Sequence, residues 1–302
     1  MQSFFDLFTD YTLRNVALGT AILGVVSGVL GCFAVLRRQG LFGDALAHAT
    51  LPGVCLAFLI LGSREPAVLL GGAAVTAVLG ALLILAVTNG TRIKQDAALG
   101  IVLSVFFGIG TVLLTFIAGS GNASQSGIDR FIFGQAATIV QDDVVLMAVL
   151  GAVALVVVAL CFKEFKLVSF DSAFAASLGY PVGRVNVLLT ALIVVSIVIG
   201  IQTVGVILMA AMLITPAAAA RQWTDRLSMM IVLSALFGAA SGIAGAAVSA
   251  TGSGLPTGPI IVLMATGFFL LSLVFGARHG LLWSRLRSAR NQRTALQGGD
   301  AA

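Results

Sequence analysis

The sequence predicts an all-α fold: a polytopic bundle of membrane-spanning helices, about nine of them and eight at the fewest. Three observations carry that reading. Of 302 residues, 59% are hydrophobic and only 10% charged, with a mean hydropathy of +1.09. A soluble domain carries roughly a quarter charged residues. The charges are separated by long apolar gaps, and many of the 35 glycines sit inside those gaps at four-residue spacing. This composition excludes a water-soluble enzyme and a disordered scaffold. A net charge of +5 and a pI of about 9.6 fit a bias toward the cytoplasmic leaflet of a bilayer and not a nucleic-acid surface.

The spans follow from the gaps, since a crossing helix needs about 20 apolar residues. Stretches 15–36, 45–63 (interrupted only by His48), 66–91, 97–128 with a polar loop, and 144–162 give the first five. The charge-free stretch 185–220 would run roughly 54 Å as one helix, too long for a single crossing. It predicts a hairpin broken near Gly200, Gln202 or Gly205. Stretch 227–277 contains the turn TGSGLPTGP and supplies two more spans. A re-entrant hairpin would lower the count to eight.

Basic residues orient the chain. With the C-terminus cytoplasmic, only Arg14, Arg64 and Arg130 among the lysines and arginines fall outside, and the N-terminus is outside. The start, MQSFFDLFTDYTLRN, has acids where a cleavable leader has lysines, so none is expected. Residues 1–302 read as one transmembrane domain: a helix bundle over 11–280 and a basic cytoplasmic tail over 281–302. Cys32, Cys55 and Cys161 form no CxxC pair and read as packing residues.

Small residues at Gly24 and Gly28, and at Gly238 and Gly242, let helix backbones approach where lipid supplies no hydrophobic drive. Pro216 removes a backbone donor late in the seventh span and is a candidate kink or hinge.

The strongest chemistry lies in RRQGLFGDALAHATLPG. Asp44 and His48 stand at i and i+4, on one helical face. A carboxylate and an imidazole so placed can bind a divalent first-row ion, and an ionisable pair at membrane depth points to function. Asp44 is also placed to cap the second helix, with His48 a core histidine. Two ligands make an incomplete site, which a two-fold dimer would double to four.

At this point the sequence resembles the permease subunits of ATP-binding-cassette importers for manganese, iron and zinc. The matching blocks are GDALAHATLPG at 43–53, TRIKQDAALGIVLS at 91–104, FGQ at 133–135, KEFKLVSFDSAFAASLG at 163–179, IQTVGVILMAAMLITPAAAARQWTDRL at 201–227 and LPTGPIIVL at 255–263. The resemblance implies that Asp44 and His48 line the path and contact the metal. It implies that Ser169, Phe170, Asp171 and Gly179 belong to the cytoplasmic element that docks an ATPase subunit. HATLPG with ARQWTDRL looks closer to the manganese and iron branch than to the zinc branch. Gln202 and Thr203 match a recurrent block and are candidates for an outer gate, alongside their reading as a helix-turn cap.

The implied partners are a pair of ATP-binding subunits inside, a metal-binding protein outside, and a second permease chain, identical or related. The implied location is a bacterial cytoplasmic membrane. Manganese, iron or zinc would pass as cargo, with no cofactor permanently bound. The chain has no GxxxxGK[ST] phosphate loop and no HExxH, so neither ATP hydrolysis nor zinc-protease chemistry is expected of it. An ion-gradient-driven transporter is the main competitor, though residues 12–130 and 142–278 share only hydropathy and not the duplication such folds display. A permease for metal chelates is the other; its wider path would not need Asp44 or His48.

Overall fold

The computed structural model describes residues 10–63, 65–119, 139–251, 255–278 and 280. The predicted outer loop with its FGQ block at 133–135 and the basic tail over 281–302 lie outside the described residues. Among the described residues twelve helices follow one another: α1 Tyr11–Leu36, α2 Phe42–Ala49, α3 Leu51–Leu61, α4 Pro66–Gly90, α5 Gln95–Gly119, α6 Gln141–Leu160, α7 Phe162–Phe170, α8 Ser172–Ser177, α9 Val182–Val204, α10 Val206–Arg221, α11 Leu227–Ser249 and α12 Thr257–Phe275. Among the described residues, eight stretches are long and apolar enough to cross a membrane, with α2 and α3 together counting as one.

The ninth predicted span is a short arm. The 185–220 stretch breaks at Gly205, one of the three expected positions, where φ 86° and ψ 167° give a backbone that essentially only glycine adopts. Its second arm, α10, has 16 residues, or about 24 Å, less than the hydrocarbon thickness. Gly200 packs against Met209 across the turn and against Leu23 of α1. Leu23 is a dozen residues into α1, so Gly200 lies about 18 Å along that helix from its start, and Gly205, five residues nearer that end, about 10 Å. Pro216 is buried inside α10, which continues past it to Arg221.

α1 is the axis of the bundle, with 78% of its apolar window buried against 17% for α5. Asp10 starts it, its carboxylate accepting from the amide of Thr12 at 2.8 Å. Antiparallel α11 lies directly on it. A Cβ at Gly24 would come within 2.3 Å of the Gly238 carbonyl oxygen, and one at Gly242 within 2.6 Å of the Thr20 carbonyl oxygen. Ser234 donates across the seam to the Gly28 carbonyl oxygen at 2.7 Å. The small-residue spacing thus serves a seam between elements some 200 positions apart.

The basic loops gather at one end of the bundle. Arg37 donates to the Asn186 Oδ1, joining the loop after α1 to α9. Asp225 sits between Arg221 at 3.6 Å and Arg278 at 3.7 Å. At the other end Tyr11 donates to Gln141, and Ser249 to the Leu255 carbonyl.

Candidate metal centre

α2 and α3 form one interrupted span, and the interruption has a local cause. Pro52 has no amide hydrogen to bond back to the His48 carbonyl. Thr50 instead turns its hydroxyl to the Ala47 carbonyl at 2.6 Å and receives Thr76 of α4 on its own carbonyl at 3.4 Å. Close packing fixes the two halves. Gly43 abuts Leu213 of α10, Gly53 faces the Gly72 carbonyl of α4, and Leu51 fills the space above Gly110 of α5.

Asp44 lies in the first turn of α2 and His48 in its last. The cap position belongs to Leu41 and carries no side-chain bond, so Asp44 does not cap the helix. Its carboxylate instead faces the imidazole: Asp44 Oδ1 and His48 Nε2 are 3.5 Å apart. The His48 ring meets Phe107 edge-on, centroids 4.9 Å apart and planes at 79°. Phe107 is the middle residue of α5, which sets the pair near the midpoint of that span. The His48 Nδ1 is buried and has no hydrogen-bond partner.

This separation suits one shared ion. With metal–nitrogen and metal–oxygen bonds of about 2.0–2.2 Å, an N···O distance of 3.5 Å corresponds to an angle at the metal of about 110°. The pair is not sealed in the bundle: the Asp44 and His48 side chains are 34% and 20% exposed. On α5, the helix that carries Phe107, Gly100 and Gly108 have no atom of another helix within 4 Å of where either Cβ would be. Among the described residues no group of three or more His, Cys, Asp or Glu side chains converges, and Asp44 and His48 stand there as a pair of candidate donors.

The other expected site residues belong to different elements. Ser169 and Phe170 end α7, and Asp171 caps α8 by accepting from the Phe174 amide at 2.8 Å. Gly179 closes the corner at φ 83°. Phe170, Phe174 and Leu178 are exposed there, an apolar cluster at the basic end of the bundle. Gln202 and Thr203 fall in the last turn of α9, and their side chains lie outside the described residues. Phe107 was not foreseen. It is 59 positions from His48, and only the register between α2 and α5 brings them together.

Fold and pair define a class: a helical membrane protein that sets a carboxylate and an imidazole together among its spans, beside the midpoint of α5, the layout of a transport subunit. The chain belongs to the ABC 3 transport family, which matches residues 9–276. It is 49% identical over 290 residues to the zinc transport system membrane protein TroC of Treponema pallidum, covering 96% of this chain and 97% of that one. It is 51% identical over 278 residues to the manganese transport system membrane protein MntC of Bacillus subtilis, covering 92% of this chain but only 64% of that relative's length. Overall likeness therefore does not separate a manganese from a zinc relative. Among solved structures it is similar to PsaBC from Streptococcus pneumoniae in complex with Fab, with a TM-score of 0.80, 33% identity, and coverage of 94% of this chain and 99% of that one.

Proposed function

We propose that this chain is the permease subunit of an ATP-binding-cassette importer, passing manganese or iron, and also zinc, through the membrane by way of Asp44 and His48. The observation that carries the reading is the 3.5 Å carboxylate–imidazole pair near the middle of the bundle. One oxygen and one nitrogen donor suit manganese, iron and zinc alike. With the N-terminus outside, the basic loops face the cytoplasm, as the positive-inside rule requires of a bacterial inner-membrane protein.

An importer must release its cargo, so a site of only two protein ligands per chain is an advantage. A second permease chain, identical or related, seats against the small-residue face of α5, where Gly100 and Gly108 leave room for a neighbouring backbone. Its own pair would then complete the coordination. An external metal-binding protein delivers the ion. Separate ATP-binding subunits dock on the α7–α8 corner around Ser169, Phe170, Asp171 and Gly179, and their closure alternates the opening of the path. Gln202 and Thr203, beside the Gly205 turn, act at the outer gate, and Pro216 serves α10 as a hinge.

The test is ATP-driven uptake of radioactive manganese by the assembled transporter in vesicles. Asp44→Ala and His48→Ala each abolish it while membrane insertion is retained. Uptake at the parent rate in both variants would refute the assignment.

A further inference from the structure

At the basic end of the bundle lies a cavity of about 380 Å³ that shares Ser169 and Phe170 with the α7–α8 corner but whose two arginines have no part in the transport reading. Arg37, Arg38, Asn89, Gln95, Ser169 and Asn186 supply most of its polar lining, and no carboxylate contributes to it. It brings together the loop after α1, the end of α4, the start of α5, the α7–α8 corner and the start of α9.

Three features of the lining point to a missing anion, and a fourth places a second arginine beside them. Arg37 is half-buried, and among the described residues its side chain is bonded to the neutral amide of Asn186 and to no carboxylate. A guanidinium has five donors, and burying it without a counter-charge is costly. Burial accordingly pushes its pKa below the ordinary arginine value. Arg38 holds φ 58°, the only positive φ outside glycine among the described residues. That turn is the end of α1, closed by the Gln39 amide on the Ala34 carbonyl oxygen at 2.9 Å and the Arg38 amide on the Val35 carbonyl oxygen at 3.1 Å, and it sets Arg38 beside Arg37 in the lining. Finally, Ser169 has a buried hydroxyl oxygen without a hydrogen-bond partner.

The surroundings narrow the anion. The cavity lies at the end of α4, and an exposed apolar stripe climbs that helix from its mouth: Ala86, Leu82, Leu79 and Val78, and Val75. Their three- and four-residue spacing puts them on one face with Asn89, which lines the cavity. A ligand with an anionic head and apolar tails fits both parts at once. Arginine's fork matches phosphoryl oxygens in particular.

We propose that this cavity is a phosphoryl-binding site, in which Arg37 and Arg38 hold the phosphate of a phospholipid headgroup while its acyl chains lie along the Val75–Ala86 stripe of α4. The alternative source of the same chemistry is free inorganic phosphate, and the test separates the two.

Native mass spectrometry of the purified full chain, titrated with phosphatidylglycerol, reads the affinity. Arg38→Gly is the decisive variant, because glycine accepts φ 58° without strain and the fold is kept. Losing one guanidinium contact to an anion weakens phosphatidylglycerol binding about tenfold or more, and Arg37→Gln does the same. Arg184→Gln, at the same end but outside the cavity, leaves it unchanged. If inorganic phosphate does not displace the lipid, the lipid is the ligand. If phosphate displaces it, and phosphate affinity itself falls in the two cavity variants, the site stands with free phosphate as its ligand. The proposal is overturned if monodisperse Arg38→Gly and Arg37→Gln bind both probes as tightly as the parent, or if Arg184→Gln weakens lipid binding equally, since attraction is then general surface charge.

Discussion

Leu213 is squeezed between two glycines in two different ways, and alanine substitutions distinguish them. A Cβ at Gly43 of α2 would lie 2.7 Å from the Leu213 Cδ2, and its next contact is an ordinary 3.7 Å. Only the tip of a side chain obstructs it. A Cβ at Gly31 of α1 would lie 1.8 Å from the Leu213 carbonyl oxygen and 2.9 Å from its carbon, so there the obstacle is backbone. Restoring ordinary contact at Gly31 requires α1 and α10 to separate by roughly 1.6 Å. Overpacking of this kind costs about 1–3 kcal/mol for Gly43→Ala, and more for Gly31→Ala because a whole helix must move. Leu213→Ala alone costs about 2–5 kcal/mol. The double variant Gly43→Ala/Leu213→Ala is more stable than the sum of its parts by about 1–2 kcal/mol, because each change relieves the other. Gly31→Ala/Leu213→Ala shows no such relief, since truncating the side chain leaves the carbonyl in place. Denaturant unfolding of the detergent-solubilised chain, followed by circular dichroism, measures all five variants. Equal coupling in the two pairs would refute the packing described around α10.

Ser234→Ala deletes the hydroxyl that bridges α11 to α1 at 2.7 Å and lowers stability by about 0.6–1.7 kcal/mol in the same unfolding assay; no change would mean the seam rests on glycine contacts alone. Gly179→Ala meets no atom within 4 Å but holds φ 83°, so it strains the α7–α8 corner by about 1 kcal/mol. It lowers ATP-driven uptake while leaving expression intact, and parent-level uptake would remove the corner from the coupling path. Phe107→Ala strips the ring that meets His48 and weakens manganese binding about two- to tenfold, on the scale of an aromatic contact, as read by metal titration.

Much of this structure was legible as charge spacing. The span boundaries followed because a charge inside a bilayer is costly, so the gaps between charges report helix lengths directly. The break at Gly205 was legible to within three candidate residues. The brevity of α10 was not, because hydropathy runs on unbroken from Val206 through Ala220 and says nothing about where along α1 a turn will seat. The Asp44–His48 pairing was legible because it is a local i,i+4 relation. Spacing alone also allowed Asp44 to cap the helix, a reading that ended with Leu41 in the cap position. Phe107 and the openness of the pair depend on how α2 registers against α5, and no periodicity within either helix encodes that. Gly24, Gly28, Gly238 and Gly242 showed as packing residues, but their mutual partnership emerged only from the fold.

Pulsed electron paramagnetic resonance of the tag-free chain loaded with manganese(II) addresses the metal pair most directly. The chain has two histidines, His48 and His279, so a nitrogen coupling is readily assigned. A single class of imidazole nitrogen coupling is expected in the parent and in His279→Gln, lost in His48→Gln and strongly weakened in Asp44→Asn. Manganese bound without nitrogen coupling in the parent, or with coupling that survives His48→Gln, would contradict a path through that pair.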